Sequence, residues 1–208
     1  GDYATDTALR TSLTAARPGY GWLSEETPDD AARLSCDRAF VVDPIDGTRA
    51  YVDGQDTWAL SLAVVSGGSP TAAVVYLPAR GTLYAAARGE GATRDGAPIA
   101  ASARTLLAPR PSLDPEHWPG GVPPVTRAFR PSLAWRLALV AEGAFDAMLT
   151  FRDAWEWDIA AGALIAAEAG ARVTDRAGAP LAFNSPAART PGALVAPPPL
   201  HAALLARR

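Results

Sequence analysis

The sequence has a single cysteine, two histidines and no uninterrupted apolar run near the eighteen or so residues that a membrane span requires. Cys36 alone rules out an intrachain disulfide and fits a reducing cytoplasm. His117 and His201 are too few and too isolated for a histidine-rich metal site, so any metal is expected to be held by oxygen. No basic stripe stands out and the formal net charge is −3, which argues against a nucleic-acid backbone as main partner. Walker-type phosphate loops and Gly-x-Ser-x-Gly elbows are both missing. Gly89-Glu90-Gly91 opens like a dinucleotide fingerprint, but Arg94 stands where the third glycine belongs. There is no internal repeat and no low-complexity tract. The sequence opens on Gly1-Asp2 without a methionine or leader-like segment, as a fragment or a chain with an omitted start would.

What is present is mostly small and apolar. Of 208 residues 49% are hydrophobic, many of them alanine, so burial rests on the Leu, Val, Ile and Trp minority. The length fits one domain of two packed halves, about 1–105 and 125–208. Ala4, Ala8, Leu9, Leu13 and Ala16 recur at three-to-four spacing and predict a helix from Thr5 to Arg17, stopped by Pro18-Gly19. Tyr20 to Leu23 and Ala39 to Val42 read as short strands, the second ending at Asp43. Trp58 to Val65, Thr71 to Leu77 and Thr82 to Ala87 read as an antiparallel meander. Thr105 to Pro124, rich in Pro and Gly, reads as a connection. Beyond it come a helix from Ser132 to Glu142 closed by Gly143, a strand from Phe145 to Phe151 and a buried helix from Ile159 to Ala169. Strands at Ala171 to Thr174 and Ala193 to Ala196 and a helix from Pro199 complete the chain. This mixture predicts a layered α/β (α+β) fold.

Four acids attract chemistry: Glu25, Asp43, Asp46 and Asp158. Asp43 and Asp46 stand three apart where Pro44 fixes its own φ and Gly47 permits a sharp bend. Such a turn can aim two carboxylates and the Ile45 carbonyl at one point, with the Thr48 hydroxyl nearby to orient water. The Gly47 and Thr48 N–H groups would form a phosphate site if a helical turn begins there. Clustered carboxylates repel, and hard divalent cations remove that conflict. Each element also has a plain reading. Asp-Pro and Asp-Gly are ordinary turn dipeptides, Glu25-Glu26 can be a solvated pair, and Asp158 can be a helix N-cap.

Taken together, these elements carry a resemblance. The run Phe40-Val41-Val42-Asp43-Pro44-Ile45-Asp46-Gly47-Thr48 resembles the first signature of the inositol monophosphatase superfamily. Trp157-Asp158-Ile159-Ala160-Ala161-Gly162, continuing to Glu168-Ala169-Gly170, looks like the second, and Gly21-Trp22-Leu23-Ser24-Glu25-Glu26 is similar to the family's upstream acidic segment. The resemblance implies the layered αβαβα sandwich of the sugar phosphatases and a catalytic domain that hydrolyses phosphate monoesters with two Mg²⁺ ions. It implies that Glu25, Asp43 and the Ile45 carbonyl hold one ion, and that Asp43, Asp46 and Asp158 hold the other, with Asp43 bridging. Thr48 and Glu25 would position and deprotonate the attacking water, with Asp46 in the same catalytic set, while Asp2 would help bind a third, weaker Mg²⁺. It further implies lithium inhibition, homodimers, and helices preceding Asp2 that this sequence does not contain.

Departures from the pattern bear on substrate. Arg49 follows Thr48 where inositol-preferring members tend to have a small polar residue, and it looks more like the 3′(2′),5′-bisphosphate nucleotidase or histidinol-phosphatase branches. Glu156 beside Trp157 points the same way. Pro131 precedes Ser132 where many members carry a small residue near the substrate. Arg49, Ser132 and Glu156 are therefore the expected substrate contacts. Trp155 and Trp157 read as core residues in preference to a base-stacking platform. The expected partner is a small phosphorylated metabolite, a nucleotide 3′-phosphate being favoured over inositol 1-phosphate or histidinol phosphate. A rival of another class is a phosphatase-like binding or regulatory protein, against which the intact ligand set argues.

Overall fold

The computed structural model describes residues 1–104, 111–112 and 126–206. Helix α1 spans Asp2–Ala16 and turns Asp2, Asp6, Leu9 and Leu13 inward, leaving Ala4 and Ala8 exposed. The apolar spacing thus located the helix but not its inner face. Strand β1 (Gly21–Ser24) runs parallel to β2 (Arg38–Asp46). Between them a 3₁₀ turn at Ala31–Ser35 packs so closely on Gly21 that a Cβ there would lie 2.8 Å from Arg33 Cα.

Strand β2 continues through the acidic motif instead of stopping at Asp43. Its ladder with β3 (Ala59–Ser66) pairs Asp43 with Ser61 and Asp46 with Ala59, so one extra residue is accommodated between them as a bulge. Pro44, which lacks an N–H, is tolerated there because the ladder is already interrupted. Gly47 (φ 94°) then turns the chain into the five-residue helix α2 (Thr48–Val52). The meander runs on through β4 (Ser69–Leu77), β5 (Thr82–Ala87), β6 (Ala92–Arg94) and β7 (Ala97–Ile99), completing a sheet in sequence order. The β6–β7 hairpin, turning at Asp95-Gly96, was not anticipated.

The expected connection from Thr105 to Pro124 lies outside the described residues apart from β8 (Pro111–Ser112). Helix α3 (Leu133–Ala141) is capped by Ser132, whose Oγ accepts from Trp135 N, and it closes at Gly143 (φ 73°). Strand β9 (Ala147–Thr150), the short β10 (Ala154–Trp155), helix α4 (Glu156–Glu168), β11 (Arg172–Thr174), β12 (Arg189–Thr190), β13 (Ala193–Ala196) and α5 (Pro198–Leu205) follow. A second sheet has the order β11-β13-β9-β8, and β10 pairs with β12.

Five layers result. Helix α1 covers the Trp22, Phe40 and Val42 face of the first sheet; α3 and α4 fill the space between the sheets; α5 covers Leu149 and Leu194 on the far side of the second. This is the αβαβα order that the resemblance implies. Helix α4 reads as wholly apolar because both of its faces are buried. At Gly162 a Cβ would sit 2.5 Å from Leu137 Cβ, so glycine sets how closely α3 and α4 approach.

Candidate active site

The end of β2 delivers Asp43 and Asp46 to the edge of the α3–α4 layer. Asp43 is buried, and its Oδ1 accepts from Ile45 N (2.9 Å) within the bulge. Asp46 Oδ2 accepts from Ser132 Oγ (2.7 Å) and from Ala134 N (2.6 Å), which fixes it against the first turn of α3. Gly47 makes that approach feasible, since a Cβ would lie 3.3 Å from Ser132 N. Thr48 Oγ1 donates to the Ile45 carbonyl at 3.1 Å.

Asp158 reaches the same place by a cross-strand device. Ser61, the register partner of Asp43, donates from its buried hydroxyl to Trp157 O at 2.8 Å and so pins the first turn of α4 beside β2. Helix α4 begins earlier than periodicity suggested, with Trp155 as N-cap, so Asp158 sits inside the first turn instead of capping it. From there its carboxylate faces those of Asp43 and Asp46. Oxygens of Asp43, Asp46 and Asp158 lie within 4.8 Å of one another.

Glu25 follows β1, is exposed, and bears on Asp43 and Asp46 through its charge. Asp2, in the first turn of α1, bears on Glu25 through its charge. One residue here was not anticipated. Asp6, 2% exposed, accepts from Ser24 Oγ and from Thr27 Oγ1 (2.6 Å), clamping the chain on both sides of Glu25 and Glu26. The signal available for it was its place four residues after Asp2, on the same side of one helix.

The electrostatics are those of crowded acids. Burial first, then the charges of Asp46, Asp158 and Glu25, hold Asp43 well above the usual carboxyl range. Asp158 is raised likewise by burial and then by Asp46 and Glu25. Asp46 is raised by burial, against the opposing pull of Ser132, the α3 backbone and Arg136. Glu25, open to solvent yet partly desolvated on the side of the cluster, is raised by that desolvation and then by Glu26, Asp46 and Asp2. A cluster of hard oxygen donors whose charges are mutually unfavourable fits a divalent cation, which would be held by Asp43, Asp46 and Asp158.

The expected substrate contacts are distributed otherwise. A cavity of about 530 Å³ opens over Asp46 and Asp158, walled by Arg127, Phe129, Arg136 and Arg152 among others. Arg49 is exposed and lines a neighbouring cavity, which shares Phe129 and Pro131 with the first. Ser132 is fully buried between Asp46 and the α3 backbone. Glu156 is fully buried as well, its carboxylate accepting from Asn184 N (2.5 Å), Ser185 N (3.0 Å) and Ser185 Oγ (2.5 Å). Neither side chain faces a space that a substrate could enter; each acts on protein groups. Trp155 is stacked on Trp157 with Arg189 at 3.7 Å from its ring centre, so both faces are taken and no base platform is left. The Gly89-Glu90-Gly91 turn is held by Glu168, which accepts from both glycine N–H groups at 3.0 Å.

Comparison with known proteins is consistent with this arrangement. The model of the inositol monophosphatase family matches residues 2–208. A 3′-phosphoadenosine 5′-phosphate phosphatase of Mycobacterium bovis is 35% identical over 195 residues, covering 88% of this chain and 71% of that protein. An inositol-1-monophosphatase of Rhizobium meliloti is 36% identical, covering 85% and 71% respectively. Among solved structures, inositol monophosphatase-II of Staphylococcus aureus superposes with a TM-score of 0.85 at 26% identity, covering 98% of this chain and 81% of that one.

Proposed function

The chain belongs to the inositol monophosphatase family, and from that premise we propose that it is a Mg²⁺-dependent phosphoric monoester hydrolase acting on the 3′-phosphate of a 3′(2′),5′-bisphosphate nucleotide. The observation that carries the reading is the convergence of Asp43, Asp46 and Asp158 oxygens within 4.8 Å at the floor of an open cavity. On this reading Asp43, Asp46, Asp158, Glu25 and the Ile45 carbonyl would hold two Mg²⁺ ions, and Asp2 would serve a third. Such ions supply Lewis-acid activation of water and neutralise charge on the phosphoryl oxygens.

The remaining work falls to side chains of this protein. Thr48, whose hydroxyl proton is committed to Ile45 O, offers lone pairs that accept from a water and orient it. Glu25, exposed and raised in pKa, takes the proton as the water oxygen bonds to phosphorus and the ester P–O bond breaks. The departing oxygen collects a proton from solvent on the open side of the cavity. Ser132 and the Ala134 N–H hold Asp46 so that no reorganisation is needed during the step. Gly47 and Thr48 N–H groups at the start of α2 receive the phosphoryl group.

Inositol 1-phosphate is the second reading, supported by the similarity to the Rhizobium meliloti inositol-1-monophosphatase. A cytoplasmic homodimer belongs to the same proposal; Cys36 is a free thiol, and no described helix is long and apolar enough to cross a membrane. The test is phosphate release in Mg²⁺ from adenosine 3′,5′-bisphosphate, inositol 1-phosphate, histidinol phosphate and fructose 1,6-bisphosphate. The bisphosphate nucleotide is expected to have the highest kcat/KM. Metal binding without release from any of them would instead favour a binding protein.

A further inference from the structure

Glu25 stands on a segment that the first sheet no longer holds. Ser24 is the last residue of β1 in register with β2, opposite Val42, which sets Glu25 beside Asp43. The Glu25 N–H still reaches the Val42 carbonyl, at 3.4 Å. Beyond it residues 25–30 run along the surface, with Glu25, Pro28, Asp29 and Asp30 exposed. Such a connection is ordinarily among the more mobile parts of a fold. Here two buried charged side chains, Asp6 and Arg33, each 2% exposed, grip it from opposite ends. From α1, Asp6 accepts through Oδ1 from Ser24 Oγ and through Oδ2 from Thr27 Oγ1 (2.6 Å), and Ser24 Oγ in turn accepts from Glu26 N (3.3 Å). From the 3₁₀ turn, Arg33 donates through Nε and Nη2 to the two oxygens of Asp29 (2.6 and 2.9 Å). Its Nη1 donates to Asn184 Oδ1 (2.7 Å) and its Nη2 to Ser185 O (2.9 Å), which ties the far end of the segment to the second half of the chain.

Core packing does not account for these anchors. Burying a charge costs free energy, and a surface connection can pass from β1 to β2 without either side chain. Residues 25–30 are two Glu, a Thr, a Pro and two Asp, and they add nothing to the hydrophobic clusters. Asp29 pairs with Arg33, and Asp30 caps the 3₁₀ turn by accepting from Ala32 N (2.9 Å). Glu25 is the member whose charge bears on Asp43 and Asp158. A reacting group on a free loop must be ordered at every turnover, whereas one held in advance carries no such entropic cost.

We propose that Asp6 and Arg33 are positioning residues for Glu25. They fix residues 24–30 at both ends, so that the Glu25 carboxylate is presented to the acidic cluster without further ordering. Neither residue lines the cavity over Asp46 and Asp158, and each acts through the segment that it holds. This role rests on the phosphatase reading, in which Glu25 takes the proton of the attacking water.

The test is a double-mutant cycle with Glu25→Gln, read by phosphate release in Mg²⁺ and by hydrogen exchange of the metal-free chain. Asp6→Ala should lower kcat by about tenfold to a hundredfold with the KM for the ester little changed, because a misplaced reacting group costs rate. In the Glu25→Gln background the same substitution should change kcat by less than about twofold, since Asp6 acts through the residue already removed. Amides within 25–30 should exchange faster in Asp6→Ala while those of β3 and α4 keep their protection. Asn184→Gly suits the φ of 57° and removes one acceptor from Arg33. It should give the same pattern with a smaller fall in kcat, and it carries the test if Asp6→Ala does not fold. Equal falls in kcat with and without Glu25, or unchanged exchange within 25–30 in both variants, overturn the positioning role. If the wild-type chain releases phosphate from none of the four esters while exchange within 25–30 still rises in the variants, the phosphatase reading fails and the anchoring of Glu25 stands.

Discussion

At the start of α4, Glu156 receives hydrogen bonds from Asn184 and Ser185, whereas Asp158, two residues on, faces Asp43, Asp46 and Glu25. Burial raises both carboxyl groups. For Glu156 the protein supplies the compensation, including the charge of Arg33, which itself donates to Asn184 Oδ1 (2.7 Å) and Ser185 O (2.9 Å). For Asp158 it supplies further negative charge. A buried acid that serves structure is surrounded by donors; one that serves a cation is surrounded by its own kind. The neighbourhood of each carboxylate, more than its burial, separates the two roles.

The comparison can be broken most severely at the cluster. Asp43→Asn or Asp158→Asn should lower kcat/KM on the order of 10³-fold or more, because each removes a charge around which the reaction is organised. Phosphate-release kinetics check this, and near wild-type turnover would remove the acidic site from the chemistry. The counterpart at the structural acid is Glu156→Ala, which orphans two part-buried N–H groups and a hydroxyl. It should cost on the order of 3 kcal/mol in a urea titration, with any soluble fraction keeping its metal affinity.

Metal should sharpen the contrast. At a hundred times its dissociation constant, Mg²⁺ should stabilise the wild-type chain by about 2.7 kcal/mol, and Asp43→Asn should lose most of that increment. The sign of the metal-free pH dependence follows from the raised carboxyls of Asp43 and Asp158. A folded pKa above the unfolded value means that the native state binds more protons. Metal-free stability should therefore fall as pH rises from the ordinary carboxyl range through the raised values. Thermal melts of wild type and Asp43→Asn, compared across that window, isolate the effect. The smallest change is expected from Ser132→Ala, which removes one donor from Asp46 and the cap of α3. Metal affinity measured by calorimetry should drop about tenfold.

Much of this was legible in the residues. The alternation in 59–87 gave the meander, and Asp43-Pro44-Ile45-Asp46-Gly47-Thr48 gave the acidic end of β2. The start of α4 is displaced in the sequence reading because Asp158 reads as its N-cap, whereas Trp155 holds that place and Glu156, Trp157 and Asp158 lie in the first turn. Glu156 reads as a substrate contact because its actual partners, Asn184 and Ser185, lie far along the chain. Asp6 sits where helical spacing predicts only a polar position, and nothing local says that it holds Ser24 and Thr27. Arg127 and Arg152 escape for the same reason. Their common cavity is a product of the tertiary fold, with no spacing in the sequence to announce it.

The Ser61–Trp157 hydrogen bond joins residues 96 apart in the sequence, and this has a consequence for the newly made protein. Asp43 and Asp46 leave the ribosome well before Asp158, an interval of roughly ten seconds at a synthesis rate of about 10 residues per second. The sheet can form in that interval from contiguous hairpins, with Ser61 already opposite Asp43. Until α4 emerges and docks, the acids at the end of β2 lack Asp158, the third donor of the cluster. A nascent chain therefore completes its set of oxygen donors late, when the segment bearing Asp158 packs against the first sheet.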